Sequence, residues 1–110
     1  MDFITFEAKG RSVSDPVEIN TKTGKKGVKG AIAINKLIHK GGGQFETKTM
    51  FFEYEYWGID LEEATAKLGK GFPVQVSGEL KDERWISNTN EKRKSVLLKL
   101  KTARRTRDEN

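Results

Sequence analysis

The chain has 110 residues, of which 35% are hydrophobic and 34% are charged. That length supports one small domain with a single thin core, which favours a β-barrel or an oligomer. No apolar run is long enough to cross a bilayer, and Met1 precedes Asp2 rather than a basic and apolar leader, so we expect a cytoplasmic protein without a membrane anchor. The absence of cysteine excludes a disulfide framework and thiolate metal ligands.

The net charge of +5 is unevenly distributed along the chain. Residues 20–48 hold seven lysines and one glutamate, residues 49–63 hold five acids and no base, and residues 64–110 hold twelve bases and six acids. Any single lysine in such a stretch is more often a solvated loop residue than a ligand contact. Two basic segments that flank an acidic and aromatic one are better explained by a polyanionic partner.

The first half of the chain reads as strands joined by turns. Apolar residues alternate with polar ones from Ile4 to Ala8, which predicts a half-buried first strand, and Gly10 predicts a bend in it. After Asp15-Pro16, residues 17–20 form a short extended arm. A second strand follows, because Val28, Gly30, Ile32 and Ile34 recur at every second position. The three glycines at 41–43 predict a mobile hairpin tip.

The run from Met50 to Trp57 is the most aromatic part of the chain and has a period of two. We expect one face of this third strand to pack the core, namely Met50, Phe52, Tyr54 and Tyr56. The opposite face would then present Phe51, Glu53, Glu55 and Trp57. The reverse assignment would bury two unpaired carboxylates, which is expensive, so it is the weaker alternative.

The second half predicts a short helix and two further strands. Asp60 and Glu63 form a capping-box pattern, and Gly69 ends the helix. We expect a fourth strand over 72–80 that continues through 84–86, a polar hairpin at 87–90 and a fifth strand over 95–102. Residues 1–103 then form one domain and residues 104–110 a disordered tail. Five strands with a helix between the third and fourth predict an all-β fold, the OB-fold Greek-key barrel.

A series of landmarks in this order resembles the bacterial-type single-stranded DNA-binding proteins over roughly residues 3–103. The landmarks are Gly10-Arg11 with Asp15-Pro16, Thr23-Gly24 before Ala31-Ile32-Ala33-Ile34-Asn35, Thr49 and Trp57-Gly58, Leu68 with Lys70-Gly71, Val74-Gln75-Val76-Ser77-Gly78-Glu79-Leu80, and Trp85. Each motif is weak alone, but together they are specific.

The resemblance implies a homo-oligomer, usually a tetramer, that coats single-stranded DNA without reading its sequence, in a bacterial nucleoid or a phage-infected cell. It implies that bases stack on Phe51, Trp57 and Trp85 and that Lys70 and Arg84 contact the backbone. We add Lys29, Lys36 and Lys48 from the basic segment as backbone contacts, and we expect no metal and no cofactor.

Several positions depart from the pattern of this family. Glu53 and Glu55 lie among the stacking residues, where they either pair with Lys29, Lys36 or Arg84 or weaken DNA binding. Ile38 stands near a place where the family often has an aromatic residue. The chain ends at Asn110 without the acidic, hydrophobic tip that recruits other enzymes, so we expect either a truncated form or a protein without that function.

Other roles remain open for individual residues and for the whole chain. Trp85 could be a hairpin staple or an oligomer contact, and Phe45 could stack on a base or simply pack. His39 has no clustered ligand partners, which disfavours a metal role. No catalytic constellation is present, so an enzyme is not expected. The alternatives are a dimeric primosome subunit related to this family and an OB module that binds a basic protein through the acidic-aromatic strand.

Overall fold

The computed structural model describes the backbone of residues 3–86 and 92–107, and the side chains of all of these except 83–86 and 92–95. Within these ranges the elements, in chain order, are β1 (Ile4–Ser12), β2 (Val17–Asn20), β3 (Lys26–Gly41), β4 (Gln44–Trp57), α1 (Leu61–Leu68), β5 (Pro73–Ile86) and β6 (Lys92–Arg105). No helix in the described part of the chain is long and apolar enough to cross a membrane.

Five of the strands close into a barrel. The sheet order is β1-β5-β6-β4-β3, and the end of β1 also pairs with β3, which closes the ring. β4 and β6 run parallel and the other pairs run antiparallel. The predicted extended arm is β2, which adds to the free edge of β3. Because α1 lies between β4 and β5, the third and fourth barrel strands, the OB-fold prediction is confirmed.

Gly10 lies at the corner where the barrel closes. It pairs with Val74 of β5, and the next residue, Arg11, pairs with both Pro73 of β5 and Ala33 of β3. A Cβ atom at Gly10 would collide with the backbone carbonyl oxygen of Ala33. Glycine at this position therefore permits the close approach of two backbones. The register of β1 with β5 is continuous through Gly10, so the bend predicted there stays a prediction.

The predicted inner face of the aromatic strand packs the core. Tyr54 is fully buried, and Phe52 and Tyr56 pack against the core residues, which include Val28 and Ile32 of β3. The reverse assignment of the two faces is therefore wrong. The hydroxyl group of Tyr54 has no hydrogen-bond partner among the described residues, and burial raises the pKa of this phenol to about 12.

α1 closes one end of the barrel. Its N-cap is Asp60, whose carboxylate accepts a hydrogen bond of 2.8 Å from the backbone N–H of Glu63, as the capping-box pattern predicts. Ala64 and Leu68 are buried in the core, and Gly69 is the C-cap residue. The turn after the helix is tied to β1, because the backbone N–H of Gly71 donates to the carbonyl oxygen of Ser12 over 2.8 Å.

Two pairs of strands extend past the barrel as two-stranded ribbons. The first is residues 35–41 of β3 with 44–49 of β4, and its tip contains Gly41, Gly42 and Gly43, all with positive φ. The predicted hairpin is thus confirmed. The second ribbon is residues 82–86 of β5 with 92–96 of β6.

The predicted continuation of the fourth strand to Ile86 is confirmed, since β5 is one continuous strand from Pro73 to Ile86. The last strand is longer than predicted, because β6 runs from Lys92 to Arg105 and not from Ser95 to Thr102. Residues 104 and 105, which we assigned to the disordered tail, pair with β5, and the N–H of Thr106 donates to the carbonyl oxygen of Pro73 over 2.8 Å. The predicted hairpin at 87–90 and the end of the predicted tail, 108–110, lie outside the described residues.

Candidate nucleic-acid interface

The outer face of β3 and β4 carries the residues that the sequence singles out for stacking. Cross-strand partners in a sheet share a face, so the register defines this surface row by row. The rows are Gly27 with Trp57, Lys29 with Glu55, Ala31 with Glu53, and Ala33 with Phe51. We call these eight residues the outer β3–β4 face. In an OB-fold this is the barrel surface on which oligonucleotides bind.

The two aromatic residues lie at opposite ends of this face. Phe51 is 68% exposed, although it is a large apolar side chain. Trp57 is half-buried because its indole lies over Gly27, where a Cβ atom would come within 2.7 Å of the ring. Six residues of strand separate the two rings, about 20 Å at a rise of about 3.3 Å per residue. Each ring can therefore contact a different base of one extended strand.

One cation lies beside the Trp57 ring, and another lies in the same row of the barrel as Phe51. The ammonium nitrogen of Lys25 lies 5.4 Å from the centre of the Trp57 ring. Arg11 pairs in register with Ala33, so Arg11, Ala33 and Phe51 form one row across three strands of the barrel. Sequence reasoning used Arg11 as a landmark but missed it as a site residue, because only the closure of the barrel brings residue 11 beside residue 33.

Lys70 is exposed in the turn after α1, close to Arg11. The backbone N–H of Lys70 donates to the carboxylate of Asp15 over 2.9 Å, and the guanidinium of Arg11 donates to the carbonyl oxygen of Gly71 over 2.6 Å. These contacts join the turn to the loop that follows β1. The fold thus brings together Phe51, Trp57, Lys29 and Lys70 from the predicted set, together with Arg11.

The fold separates Lys36 and Lys48 from that group. Both are exposed and lie on the first ribbon, directly opposite each other and on the same side as Ile34 and Met50, the reverse of the Phe51 side. Like charges at directly opposed positions destabilise a strand pair. Neither lysine has an ion pair among the described residues, so this side of the ribbon offers a compact positive site.

Trp85 and Arg84 lie on the second ribbon. Their backbones pair with Arg93 and Lys94 of β6 respectively, and their side chains lie outside the described part of the structure. The roles predicted for these two residues therefore stay predictions. Their register partners are both basic, which agrees with the predicted polyanionic partner.

The tip of the first ribbon adds an aromatic pair. The rings of His39 and Phe45 meet edge to face with centroids 4.5 Å apart, on the same side of the sheet as Phe51, and Phe45 is 55% exposed. Phe45 thus packs on His39 and still exposes part of its side chain to solvent. Ile38, at the position where the resembled family often has an aromatic residue, is half-buried on the opposite side.

Glu53 and Glu55 differ in their surroundings from Glu46, Glu63 and Glu79. Glu46 and Glu63 form ion pairs of 2.8 and 3.2 Å with lysines, and a hydrogen bond from Lys81 lowers the pKa of Glu79. Glu53 and Glu55 make no ion pair within 4.0 Å among the described residues, although Glu55 lies directly opposite Lys29. The predicted pairing of these acids with Lys29 or Lys36 is therefore absent from the described structure.

Comparison with known proteins bears on this surface. A model of the Single-strand binding protein family matches residues 5–106. The chain belongs to this family. The resemblance given by the ordered landmarks is therefore confirmed over almost the whole chain.

Two curated relatives are each named Single-stranded DNA-binding protein. The protein of Aquifex aeolicus is 30% identical over 76 residues, which cover 69% of this chain and 52% of the relative. The protein of Thermotoga maritima is 36% identical over 86 residues, which cover 78% of this chain and 61% of the relative. The chain thus spans between half and two thirds of the length of these relatives.

Two solved structures share the fold. A small single-stranded DNA-binding protein from Streptomyces coelicolor superposes with a TM-score of 0.76 at 21% identity, covering 96% of both chains. The Plasmodium falciparum SSB, solved in complex with single-stranded DNA, superposes with a TM-score of 0.81 at 17% identity, covering 97% of both chains. At these identities the superpositions support the OB-fold assignment.

Proposed function

We propose that this chain binds single-stranded DNA without reading its sequence and protects it during replication, recombination or repair. The observation that carries the proposal is the outer β3–β4 face, where the exposed Phe51 and the half-buried Trp57 lie with Lys29 and next to Arg11. Aromatic platforms in a basic groove accept any base, because every base has a π-face. Membership of the single-strand binding protein family supports the same conclusion.

The proposed mechanism is sequestration of the strand without catalysis. Bases stack on Phe51, Trp57 and Trp85, while Arg11, Lys29, Lys70 and Arg84 hold phosphates. Lys36 and Lys48 contact the strand where it continues around the first ribbon. Stacking needs unpaired bases, so duplex DNA gains only the phosphate contacts and binds more weakly.

The test is a fluorescence titration of the protein with oligo-dT at low salt, with a duplex of the same length as the control. We expect quenching of tryptophan emission by the single strand, weaker quenching by the duplex, and an affinity that falls as the salt concentration rises. Equal binding of both forms would contradict stacking as the main contact.

We further propose that the chain associates with copies of itself, as a homo-tetramer. Phe3 and Ile4, at the start of β1, are 68% and 62% exposed, and residues 4–10 of β1 pair with β5 along one edge only within the described structure. An open strand edge beside exposed apolar groups favours pairing with another chain. The molar mass in solution tests this proposal, since a dimer would instead favour the primosome-subunit alternative.

A second candidate function is an OB module that binds a basic protein. The observation that favours it is that Glu53 and Glu55, which lie between the two aromatic residues, make no ion pair among the described residues. If oligo-dT causes no quenching at low salt while the oligomer still forms, this second candidate replaces the first.

A further inference from the structure

A groove crosses the outer β3–β4 face between the two aromatic rings. Its volume is about 330 Å³. The small side chain of Ala31 leaves the space open, while Val17 of β2 and Leu97 of β6 line it with apolar side chains. This volume lies at the small end of the range of about 300–1,000 Å³ for ligand clefts, which suits a single planar base.

The polar side chains that line this groove are Ser14, Lys29, Glu53, Glu55 and Tyr54, whose hydroxyl is buried. The two carboxylates have no cation within 4.0 Å among the described residues, so they can accept other hydrogen bonds. Carboxylates repel a phosphate and attract an amino group of a base. Glu53 and Glu55 are therefore suited to the edge of a base, whereas Lys29 is suited to a phosphate.

We propose that this groove is a base-selective subsite that prefers guanine over thymine within the otherwise sequence-tolerant site. Guanine presents two adjacent donors, N1–H and the N2 amino group, to a carboxylate of Glu53 or Glu55. Thymine presents one N3–H donor between two carbonyl oxygens, which repel a carboxylate. Hydrogen bonds from a base to a carboxylate are charge-assisted and therefore among the stronger ones.

The inference rests on the proposed function, and one competition assay separates the two. Alternating oligonucleotides d(TG)n and d(TI)n compete with oligo-dT of equal length, in a lithium buffer that suppresses guanine quadruplexes. At one salt concentration all three carry the same phosphates, so the affinity ratios report base contacts. Inosine keeps N1–H and O6 but lacks the N2 amino group, so it isolates that donor.

We expect d(TG)n to bind about fivefold more tightly than oligo-dT, the lower end of what a bidentate base contact supplies, and d(TI)n to lose most of that advantage. Glu53→Gln or Glu55→Gln should reduce the guanine-to-thymine affinity ratio towards one. Either variant should also bind oligo-dT more tightly, since a negative charge that repels the phosphates is removed. Glu62→Gln on α1 makes the same charge change away from the groove and should leave the ratio unchanged.

Three results would overturn the subsite: a guanine-to-thymine ratio of one or less, equal binding of the inosine and guanine oligonucleotides, or a ratio that survives in both groove variants. The failure of the wild-type protein to bind any of the three oligonucleotides would overturn the proposed function itself. The two failures are therefore distinguishable in one experiment.

Discussion

Replacing Phe51 by alanine should separate DNA binding from folding, because this side chain is exposed on the proposed binding face. Phe51 is 68% exposed, so about a third of the side chain is removed from water on folding. Full burial of a phenylalanine side chain contributes about 1.5–3 kcal/mol, and a third of that is about 0.5–1 kcal/mol. A lost base stack costs about 1–3 kcal/mol, which weakens binding about 5- to 150-fold.

The assay is a pair of measurements on each variant: the affinity for oligo-dT by fluorescence titration and the free energy of unfolding by urea denaturation. Phe51 and its neighbour Phe52 offer a matched pair, since Phe52 points inward and packs against the core. Phe51→Leu keeps an apolar side chain but removes the flat ring, so it should weaken binding and leave stability nearly unchanged. Phe52→Leu should do the reverse and cost up to about 1.5 kcal/mol of stability.

The reasoning would be refuted if Phe51→Ala bound oligo-dT as tightly as the wild-type protein. It would also be refuted if Phe51→Leu bound normally while Phe51→Ala did not. In that case an apolar contact, and not a stacked ring, would account for the contribution of Phe51.

Three further predictions address the ribbon, the barrel corner and the core. Lys48→Ala should make the slope of log affinity against log salt concentration shallower by about 0.7. The free energy of unfolding should stay unchanged or rise slightly, because Lys48 lies directly opposite another positive charge, Lys36. An unchanged slope would show that Lys48 does not contact a phosphate. Gly10→Ala should lower the free energy of unfolding by about 1–3 kcal/mol through its collision with the carbonyl of Ala33; an unchanged urea midpoint would contradict this. Tyr54→Phe removes an unpartnered buried hydroxyl and should raise stability by about 1 kcal/mol at neutral pH. The pKa of Tyr54 in the folded wild-type protein is about 12 and exceeds the ordinary value of 10.0, so this phenol ionises at lower pH in the unfolded chain. The stability advantage of Tyr54→Phe should therefore grow between pH 10 and 12. A stability difference that stays constant over this range would contradict the raised pKa.

The two faces of the aromatic strand could be predicted from the sequence because they follow from a local period. Alternation from Met50 to Trp57 assigns Tyr54 inward and Phe51 outward without knowledge of any partner strand. Because residues two apart on a strand share a face, the same alternation puts Lys48 on the side of Met50. The sequence-based site prediction did not use this consequence. The helix N-cap at Asp60 was equally local.

The row of Arg11, Ala33 and Phe51 could not be predicted in the same way. It depends on which residues of β1 meet β3 when the barrel closes, and that register joins positions 22 residues apart in sequence. The pairing of β5 through residues 81–83 was also not predicted, because these three residues are charged and give no apolar period. Backbone pairing in a ribbon leaves little trace in the pattern of side chains.

The structure of the protein in complex with oligo-dT tests the central claim most directly. The account predicts a thymine ring stacked on Phe51 and another on Trp57, with phosphates near Arg11 and Lys29. A strand bound on the outer surface of β1, β5 and β6, with no base in contact with Phe51 or Trp57, would contradict it.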